Sequence, residues 1–309
     1  MENVLCNLCG SNKYKPFLVR GDLNLFLEGQ FQLVQCKQCG LVYLNPRPSP
    51  NEILSYYLND YDQFNVAVQH EKHILARWGR RYGLEKRGKV ILKHKPHGKL
   101  LDVGCATGDF LASMQQRTGW QVIGIEPNQQ AAQYVREHYK IEVHTDSIEK
   151  LSLDDDTFDV VTLWNVIEHL PNPSASLNTI NRLLAHDGLL VISTPNLDCP
   201  YASLFGKYWI GYELPRHLYV FSLQTLSSLL SKSGFKIIDT LSLYGEYAAV
   251  ASSIRFWLRA KYNRKRWLNT FEKLLFSYPL RILSAPYFFI TTRLLRHCAA
   301  PTVLAIKDK

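Results

Sequence analysis

The sequence of 309 residues predicts an α/β fold built on a doubly wound, mostly parallel sheet. Three observations predict it. From Lys99 onward, short apolar stretches alternate with helical segments, as in parallel sheets covered by helices on both faces. A glycine-containing turn at residues 104–108 separates the first of these strands from the first helix. Hydrophobic residues make up 46% and charged residues 20% of the chain, an ordinary globular composition with enough apolar material for a core.

Six strands of the sheet are predicted between residues 99 and 241, each a run of mostly apolar residues bounded by turn signals. They span residues 99–103, 121–125, 141–144, 158–163, 188–193 and 235–241. The helices between them begin at Asp109 or span residues 128–139, 173–184 and 221–231. In such a sheet, ligands bind beyond the carboxyl ends of the strands.

Four of the seven cysteines form two matching pairs near the N-terminus, Cys6 with Cys9 and Cys36 with Cys39, and each pair is followed by glycine. Two residues between cysteines allow a tight turn to direct both sulfur atoms at one ion, and two such turns supply a closed, tetrahedral four-thiolate site. The pattern predicts a structural Zn²⁺ site in a zinc ribbon at residues 1–48. The other three cysteines, Cys105, Cys199 and Cys298, lack such partners and are predicted to be small core residues.

A helical connector is predicted at residues 49–98, between the ribbon and the α/β domain at 99–309. Ser49 can cap a short helix that begins at Pro50, and residues 66–94 have helical spacing. His70 and His73 lie in that second helix without cysteine or carboxylate neighbours, which favours packing or solvated histidines over metal ligands.

The turn after the first strand excludes two common nucleotide sites. The dinucleotide fingerprint G-x-G-x-x-G fails because Ala106 and Asp109 stand where its second and third glycines belong. A P-loop fails because no Gly-Lys-Ser/Thr follows. The run Leu101-Asp-Val-Gly-Cys-Ala-Thr-Gly108 instead resembles the first motif of the class I S-adenosylmethionine (SAM)-dependent methyltransferases, with Ala106 in place of the usual middle glycine.

The resemblance covers residues 99–244, and it continues through Glu126, Asp146 and the run from Phe158 to Leu170. It implies a Rossmann-like sheet of seven strands whose last strand is antiparallel. Residues 302–306 suit that strand, so residues 245–301 form an insert before it. The ribbon, together with the runs Asn45–Pro48 and Leu214–Ser222, resembles a bacterial subfamily that joins a zinc ribbon to this domain.

The resemblance also implies a SAM site at the carboxyl ends of the strands. The two glycines of the turn allow the backbone to approach the methionine end of SAM. Asp102 is placed for the ammonium, directly or through water, Glu126 for both ribose hydroxyls and Asp146 for the adenine amine. Trp164 and Asn165 leave the fourth strand beside the sulfonium. The predicted cofactor-binding residues are Asp102, Gly104, Gly108, Glu126, Asp146, Ser147 and Asn165.

Two histidines are candidates for the general base that a hydroxyl acceptor would need, His217 and His169. His217 is preferred because its loop, between strands five and six, flanks the substrate side. Each has a structural hydrogen-bonding role as its alternative. Arg216 can bind an anionic substrate group or pair with Glu213.

The insert at 245–301 is basic and aromatic. Residues 255–309 hold 12 Lys and Arg against two Asp and Glu, whereas the rest of the chain carries 24 against 25, so the net charge of +9 is local. A solvated helical lid, an interfacial membrane contact and a nucleic-acid groove all remain open for this segment. The sequence shows neither a signal peptide nor a membrane-spanning run, which predicts a cytoplasmic protein, peripheral at the inner membrane surface if the insert binds lipid.

The predicted activity is SAM-dependent methyl transfer, to oxygen on a small molecule, a sugar or a lipid-linked glycan. Methylation of nucleic-acid bases is disfavoured, because residues 164–169 read Trp-Asn-Val-Ile-Glu-His where related base methyltransferases carry an Asn/Asp-Pro-Pro-aromatic run. The alternative is a non-catalytic nucleic-acid-binding module built on the ribbon and the basic insert.

Overall fold

The computed structural model describes residues 1–57, 74–243, 246–262, 266–293 and 298–308. Its strands are β1 Tyr14–Arg20, β2 Phe31–Cys36, β3 Val42–Leu44, β4 Gly98–Val103, β5 Trp120–Ile125, β6 Glu142–His144, β7 Phe158–Trp164, β8 Leu184–Ser193, β9 Tyr219–Val220, β10 Phe235–Leu241 and β11 Thr302–Lys307. Its helices are α1 Pro50–Ile53, α2 Ile74–His94, α3 Asp109–Gln115, α4 Gln129–Tyr139, α5 Pro173–Leu183, α6 Pro200–Phe205, α7 Leu223–Lys232, α8 Glu246–Tyr262, α9 Arg266–Leu275 and α10 Tyr278–Arg293.

The larger of two sheets contains seven strands in the order β10-β11-β8-β7-β4-β5-β6. The pairs β4–β5, β4–β7, β5–β6 and β7–β8 are parallel, whereas β11 runs antiparallel to both β10 and β8. The predicted α/β fold class, with an antiparallel last strand, is therefore confirmed. The fifth predicted strand corresponds to β8, which begins at Leu184 and not at residue 188.

The core of this sheet lies in its central strands, which are apolar on both faces. Leu100 and Leu101 of β4 lie opposite Val160 and Val161 of β7, and all four side chains are fully buried. A parallel strand covered on both faces needs apolar residues at consecutive positions, which is the continuous pattern that the sequence shows. This packing fixes the carboxyl ends of β4, β5 and β7 at one edge of the sheet.

The smaller sheet is antiparallel and has the order β1-β2-β3-β9. Its first three strands belong to the N-terminal segment, and its fourth comes from far along the chain, because Tyr43 pairs with Tyr219 and Val42 with Val220. Sequence analysis missed β9, since a strand of two residues has no periodicity to detect.

The chain divides into two compact units. The sheet unit comprises Tyr57–Ser193, Ser227–Leu243 and Thr302–Lys309, and the ribbon unit comprises Met1–Tyr56, Thr194–Leu226 and Tyr244–Pro301. The predicted domain boundaries at residues 48 and 98 stay a prediction. The predicted short helix at Pro50 is present. The Glu52 carboxylate accepts hydrogen bonds from the backbone N–H (2.9 Å) and the hydroxyl (2.8 Å) of Ser49, which is one half of a capping box.

Within the predicted insert, α8, α9 and α10 are helical as expected. His70 and His73 lie outside the described residues. Among the described helices, none is by itself long and apolar enough to cross a membrane. Trp267–Leu275 and Tyr278–Thr292, bent by 51° at the break between them, meet the length and composition criteria together.

Candidate functional site

The turn between β4 and α3 has a backbone that only small residues fit. Gly104 and Gly108 both have φ of 73°, and Ala106 between them has φ of 48°. A Cβ at Gly104 would lie 2.6 Å from Val166, and one at Gly108 would lie 2.7 Å from Val135. The two glycines are therefore required by chain conformation and packing, in addition to the close ligand approach that the sequence suggested.

Ala106 occupies a left-handed conformation that costs a residue with a Cβ some strain. This explains why glycine is usual at the matching position of the motif. The backbone N–H of Ala106 donates to Glu126 Oε2 at 2.9 Å. The turn and the tip of β5 are thereby joined by one hydrogen bond.

Glu126 follows β5 and is buried. Its Oε2 accepts from Ala106, and its Oε1 accepts from the N–H of Asn128 at 2.9 Å. Burial raises the pKa of Glu126, while these two backbone bonds act in the opposite direction. Each carboxylate oxygen has a second lone pair, so this fixed carboxylate can accept two further hydrogen bonds from a vicinal diol.

Asp102, near the end of β4, is 2% exposed and accepts a hydrogen bond from Thr162 Oγ1 of β7 at 2.5 Å. Burial raises the pKa of Asp102 to about 7, against the opposing effects of the Thr162 bond and the charge of Arg87. Because this pKa lies near 7, a cation bound beside Asp102 would shift its carboxyl group towards the ionised form.

The remaining predicted cofactor residues lie where their strands end. Asp146 and Ser147 are exposed and follow β6. Asn165 follows β7 in a left-handed conformation (φ 56°), and its N–H donates to the carbonyl of Ser193 at the end of β8. The sheet thus brings all seven predicted cofactor residues to the carboxyl edge of β4, β5, β6 and β7.

Sequence analysis missed Arg87 on α2. Its guanidinium lies over the ring of Trp164, the last residue of β7, and its charge acts on the Asp102 carboxyl. Phe110 packs edge-on against the same indole, with ring centroids 5.3 Å apart. No local pattern singles out Arg87, because α2 carries several other cations.

His169 lies in a short 3₁₀ turn, Ile167–His169, after β7. Its Nδ1 is 2.9 Å from the hydroxyl of Tyr57. If the tyrosine donates, the neutral ring carries its proton on Nε2; if Nδ1 donates, Nε2 holds the lone pair of a base. Tyr57 was also missed, because it is more than a hundred residues away in sequence.

His217 belongs to the ribbon unit and is buried. Its Nδ1 lies 2.8 Å from the carbonyl oxygen of Gly211, which can only accept, so Nδ1 carries a proton. Burial lowers the pKa of His217, which keeps the ring neutral. In that tautomer Nε2, 3.8 Å from a Glu213 oxygen, has the lone pair that a general base needs.

Arg216 is fully buried within a network of the ribbon unit. It donates to both carboxylate oxygens of Asp22 (2.7 and 3.0 Å), to Glu213 (3.1 Å) and to the carbonyl of Tyr56 (3.2 Å). Of the two roles considered for Arg216, the structure shows the pairing with Glu213. Its second partner, Asp22, was not foreseen.

The four predicted metal ligands, Cys6, Cys9, Cys36 and Cys39, lie together, with all Sγ atoms within 4.8 Å of one another. The Sγ atoms of Cys6 and Cys39 are 3.4 Å apart, and those of Cys9 and Cys36 are 3.5 Å apart. A tetrahedral Zn²⁺ with bonds of about 2.3 Å to sulfur requires sulfur separations of about 3.8 Å, so the cluster fits this ion. Of the other cysteines, Cys105 and Cys199 are buried and Cys298 is half-buried.

The two cysteine turns have matching backbone hydrogen bonds. Gly10 N–H donates to the carbonyl of Cys6 (2.7 Å), and Gly40 N–H donates to that of Cys36 (3.1 Å). The same local geometry thus arises twice, as the repeated Cys-x-x-Cys-Gly pattern predicts.

A family model described as "Methyltransferase domain" matches residues 72–240. A probable S-adenosylmethionine-dependent methyltransferase of Mycolicibacterium smegmatis is 28% identical over 167 residues, 52% of this chain and 62% of that relative. A ubiquinone biosynthesis O-methyltransferase of Alkalilimnicola ehrlichii is 34% identical over 122 residues, 38% of this chain and 49% of that relative.

A tRNA U34 carboxymethyltransferase of Desulfotalea psychrophila is 28% identical over 166 residues, 50% of this chain and 51% of that relative. The chain therefore spans between about half and three fifths of the length of these curated relatives.

Solved structures share the fold. A SAM-dependent methyltransferase from Archaeoglobus fulgidus superposes with a TM-score of 0.51 at 20% identity, covering 82% of this chain and 100% of that one. The 1,6-didemethyltoxoflavin-N1-methyltransferase of Burkholderia thailandensis, solved with S-adenosylhomocysteine, gives 0.51 at 14% identity, covering 96% and 100%.

Proposed function

The chain belongs to the methyltransferase-domain family, and we propose that it transfers a methyl group from SAM to an oxygen atom of its acceptor. One observation carries the cofactor assignment: the buried Glu126 carboxylate is held by two backbone N–H groups beside the left-handed glycine turn. The fixed acceptor pair fits the two hydroxyls of a ribose.

The cofactor supplies a methyl group already activated on a positively charged sulfur. The chain's own residues would bind and orient it: Asp102 for the ammonium, Glu126 for the ribose, and Asp146 with Ser147 for the adenine. Gly104, Gly108 and Asn165 shape the backbone around it. The protein's main contribution to rate is then proximity and alignment.

An alcohol or phenol acceptor must also lose its proton. We assign this step to His217, with His169 as the second candidate. The support for His217 is its tautomer: Nδ1 is committed to the Gly211 carbonyl, and burial keeps the ring neutral, so Nε2 can take a proton.

SAM binding measured by calorimetry tests the cofactor assignment. Glu126→Ala should weaken binding by about 1.5–3 kcal/mol, because charged hydrogen bonds are lost. Glu142→Ala is the matched control, since Glu142 is an exposed carboxylate on the neighbouring β6 and should leave affinity unchanged. Absence of SAM binding by the wild type would contradict the assignment of this chain as a SAM-dependent enzyme.

The acceptor that we propose is a small molecule, a sugar or a lipid-linked glycan. The similarity to ubiquinone O-methyltransferases supports an oxygen acceptor. The similarity to a tRNA carboxymethyltransferase supports a nucleic-acid acceptor as the second candidate. Incubation with labelled SAM and either tRNA or an extract of small molecules, sugars and lipids separates the two, because only the true acceptor class gains label.

We also propose that the Cys6, Cys9, Cys36 and Cys39 thiolates hold a structural Zn²⁺. Metal analysis of the purified chain should find one zinc ion per protein, and Cys36→Ser should lose it. Cys298→Ser is the control and should retain zinc. A wild type that contains no zinc after expression in zinc-supplemented medium would contradict the assignment.

The proposed location is the cytoplasm, with peripheral contact at the inner membrane surface through residues 245–301. The local excess of Lys and Arg in this region supports attraction to anionic lipids.

A further inference from the structure

Helix α10 has its apolar residues on the outside. Ile282, Leu283, Tyr287, Phe289 and Ile290 are 49–80% exposed. At 100° per residue they fall within an arc of roughly 160° of the helix surface. Ser284 and Thr291, which are half-buried and buried, fall outside this arc. On the inner side, Phe288 packs edge-on against Tyr247 of α8, with ring centroids 5.7 Å apart. The helix is therefore held on its inner side and also presents a wide apolar arc on its outer side, where an ordinary surface helix is polar.

Helix α9 adds a second apolar stripe. Trp267, Phe271 and Leu274 are exposed and follow helical spacing, whereas Leu268 and Leu275 are buried. Phe276, in the short link to α10, is also exposed. Soluble proteins seldom expose this many large apolar side chains on two consecutive helices, so we expect a binding surface here.

The positive charge of α9 and α10 indicates which kind of partner binds their exposed apolar side chains. Helices α9 and α10 contain four Lys or Arg and one acid, Glu272, whose carboxylate already accepts two hydrogen bonds from Arg259 (2.5 and 2.6 Å). Arg281 lies on α10 and is exposed. A second copy of this surface would bring cations against cations, and the single acid of the two helices is already paired with Arg259. An anionic lipid bilayer complements the α9–α10 surface, because its interior is apolar and its headgroups are negatively charged.

The length and residue types of α10 favour a position in the plane of the membrane interface. The sixteen residues of α10 extend about 24 Å, less than the hydrocarbon core of about 30 Å, and the α9–α10 pair that is long enough together is bent by 51° at its break. Tyr287 and Trp267 are residue types that favour the membrane interface. An apolar arc with flanking cations is typical of helices that lie in the plane of the interface.

We propose that α9 and α10 form a docking surface for anionic lipid, with the outward face of α10 inserted among the headgroups. This deepens the membrane part of the proposed function and rests on that part, not on methyl transfer. It assigns the contact to a defined face of the predicted insert and places no segment across the bilayer.

Sedimentation of the purified full chain with vesicles tests the proposal. Wild type should pellet at low salt with phosphatidylglycerol–phosphatidylcholine vesicles, pellet poorly with phosphatidylcholine alone, and be released at high salt. The double variant Leu283→Glu, Phe289→Glu should bind the anionic vesicles more weakly by a factor on the order of ten to a hundred, because two inserted side chains are lost.

Matched controls separate this surface from general effects. Leu204→Glu on α6 changes an apolar side chain that is 73% exposed, and it should bind vesicles as the wild type does. Arg281→Glu should weaken binding, whereas Lys236→Glu, an exposed cation of β10, should not.

Three results would overturn the proposal: no sedimentation of the wild type, undiminished binding by the double variant, or equal binding to neutral and anionic vesicles. A wild-type dimer that the double variant abolishes, without any effect of vesicles, would assign the surface to a second copy. Calorimetry with SAM on the same samples reports the proposed function separately, because vesicle binding and SAM binding can each fail alone.

Discussion

The guanidinium carbon of Arg87 lies 4.9 Å from the centroid of the Trp164 ring. This contact brings a cation from α2 to the residue at which β7 ends. Since the charge of Arg87 opposes the rise in pKa that burial causes at Asp102, it is part of the electrostatic environment of the carboxyl edge. Helix α2 thus contributes to the candidate cofactor site although its sequence carries no motif.

Removal of the Arg87 side chain should weaken SAM binding. Arg87→Ala loses the cation–π contact that holds Trp164. It also raises the pKa of Asp102 further, so less of that carboxylate is ionised to meet the SAM ammonium. We therefore expect a loss of about 1–2 kcal/mol in binding free energy. Lys89→Ala, an exposed cation on the same helix, is the control. Equal affinities of the two variants, by calorimetry, would remove Arg87 from the site.

Asp102 should link stability to pH. Its ordinary pKa of 3.8 is raised to about 7 in the folded chain, so between these values the folded state binds more protons than the unfolded state. The free energy of unfolding therefore falls as pH rises from about 4 to 7. Asp102→Asn, which keeps an acceptor for Thr162, removes this loss and should be more stable than the wild type above pH 7, by at most about 4 kcal/mol.

Denaturant titrations at pH 5 and pH 8 measure that difference. The same variant should bind SAM more weakly at pH 8, because the ionised carboxylate that would meet the ammonium is gone. If Asp102→Asn changed stability equally at both pH values, the carboxyl group would not titrate between pH 5 and pH 8 and the inferred pKa would be wrong.

His217→Ala should lower kcat by about 10²–10⁴ at saturating SAM, the usual contribution of a general base. Because burial lowers the pKa of His217, wild-type kcat should stay constant down to pH values below 6.5. His186→Ala, an exposed histidine, is the control. His169→Ala measured in parallel decides between the two candidates, and normal turnover by both single variants would exclude either as the base.

Arg216→Ala should destabilise the fold by about 3–5 kcal/mol, because it leaves the buried carboxylates of Asp22 and Glu213 without their shared cation. Arg182→Ala breaks an ion pair with Asp155 in which both side chains are more than 40% exposed, and it should cost less than about 1 kcal/mol. Chemical denaturation compares them, and similar midpoints for the two variants would contradict the structural role of Arg216.

The parts of the fold that depend on local pattern could be predicted from the sequence. The consecutive apolar residues of β4 and β7 identify buried parallel strands, and the repeated Cys-x-x-Cys-Gly turn identifies the thiol cluster. Glu126 could be placed because a strand tip follows directly from the strand assignment.

Contacts between residues far apart in sequence could not be predicted. Arg216 meets Asp22 across 194 positions, and Tyr219 pairs with Tyr43 to extend the ribbon sheet. Arg87 is one of several cations on α2, so nothing local distinguishes it. The outward apolar face of α10 was also hidden, because periodicity shows which residues share a face and not which way that face turns.

The most direct test of the proposed activity follows the methyl group itself. Purified wild type is incubated with methyl-labelled SAM and a fractionated cell extract, beside Glu126→Ala and Glu142→Ala. The account predicts that one fraction gains label with the wild type and with Glu142→Ala, and much less with Glu126→Ala. No labelled product in any fraction, from a wild type that binds SAM, would contradict methyl transfer as the function of this chain.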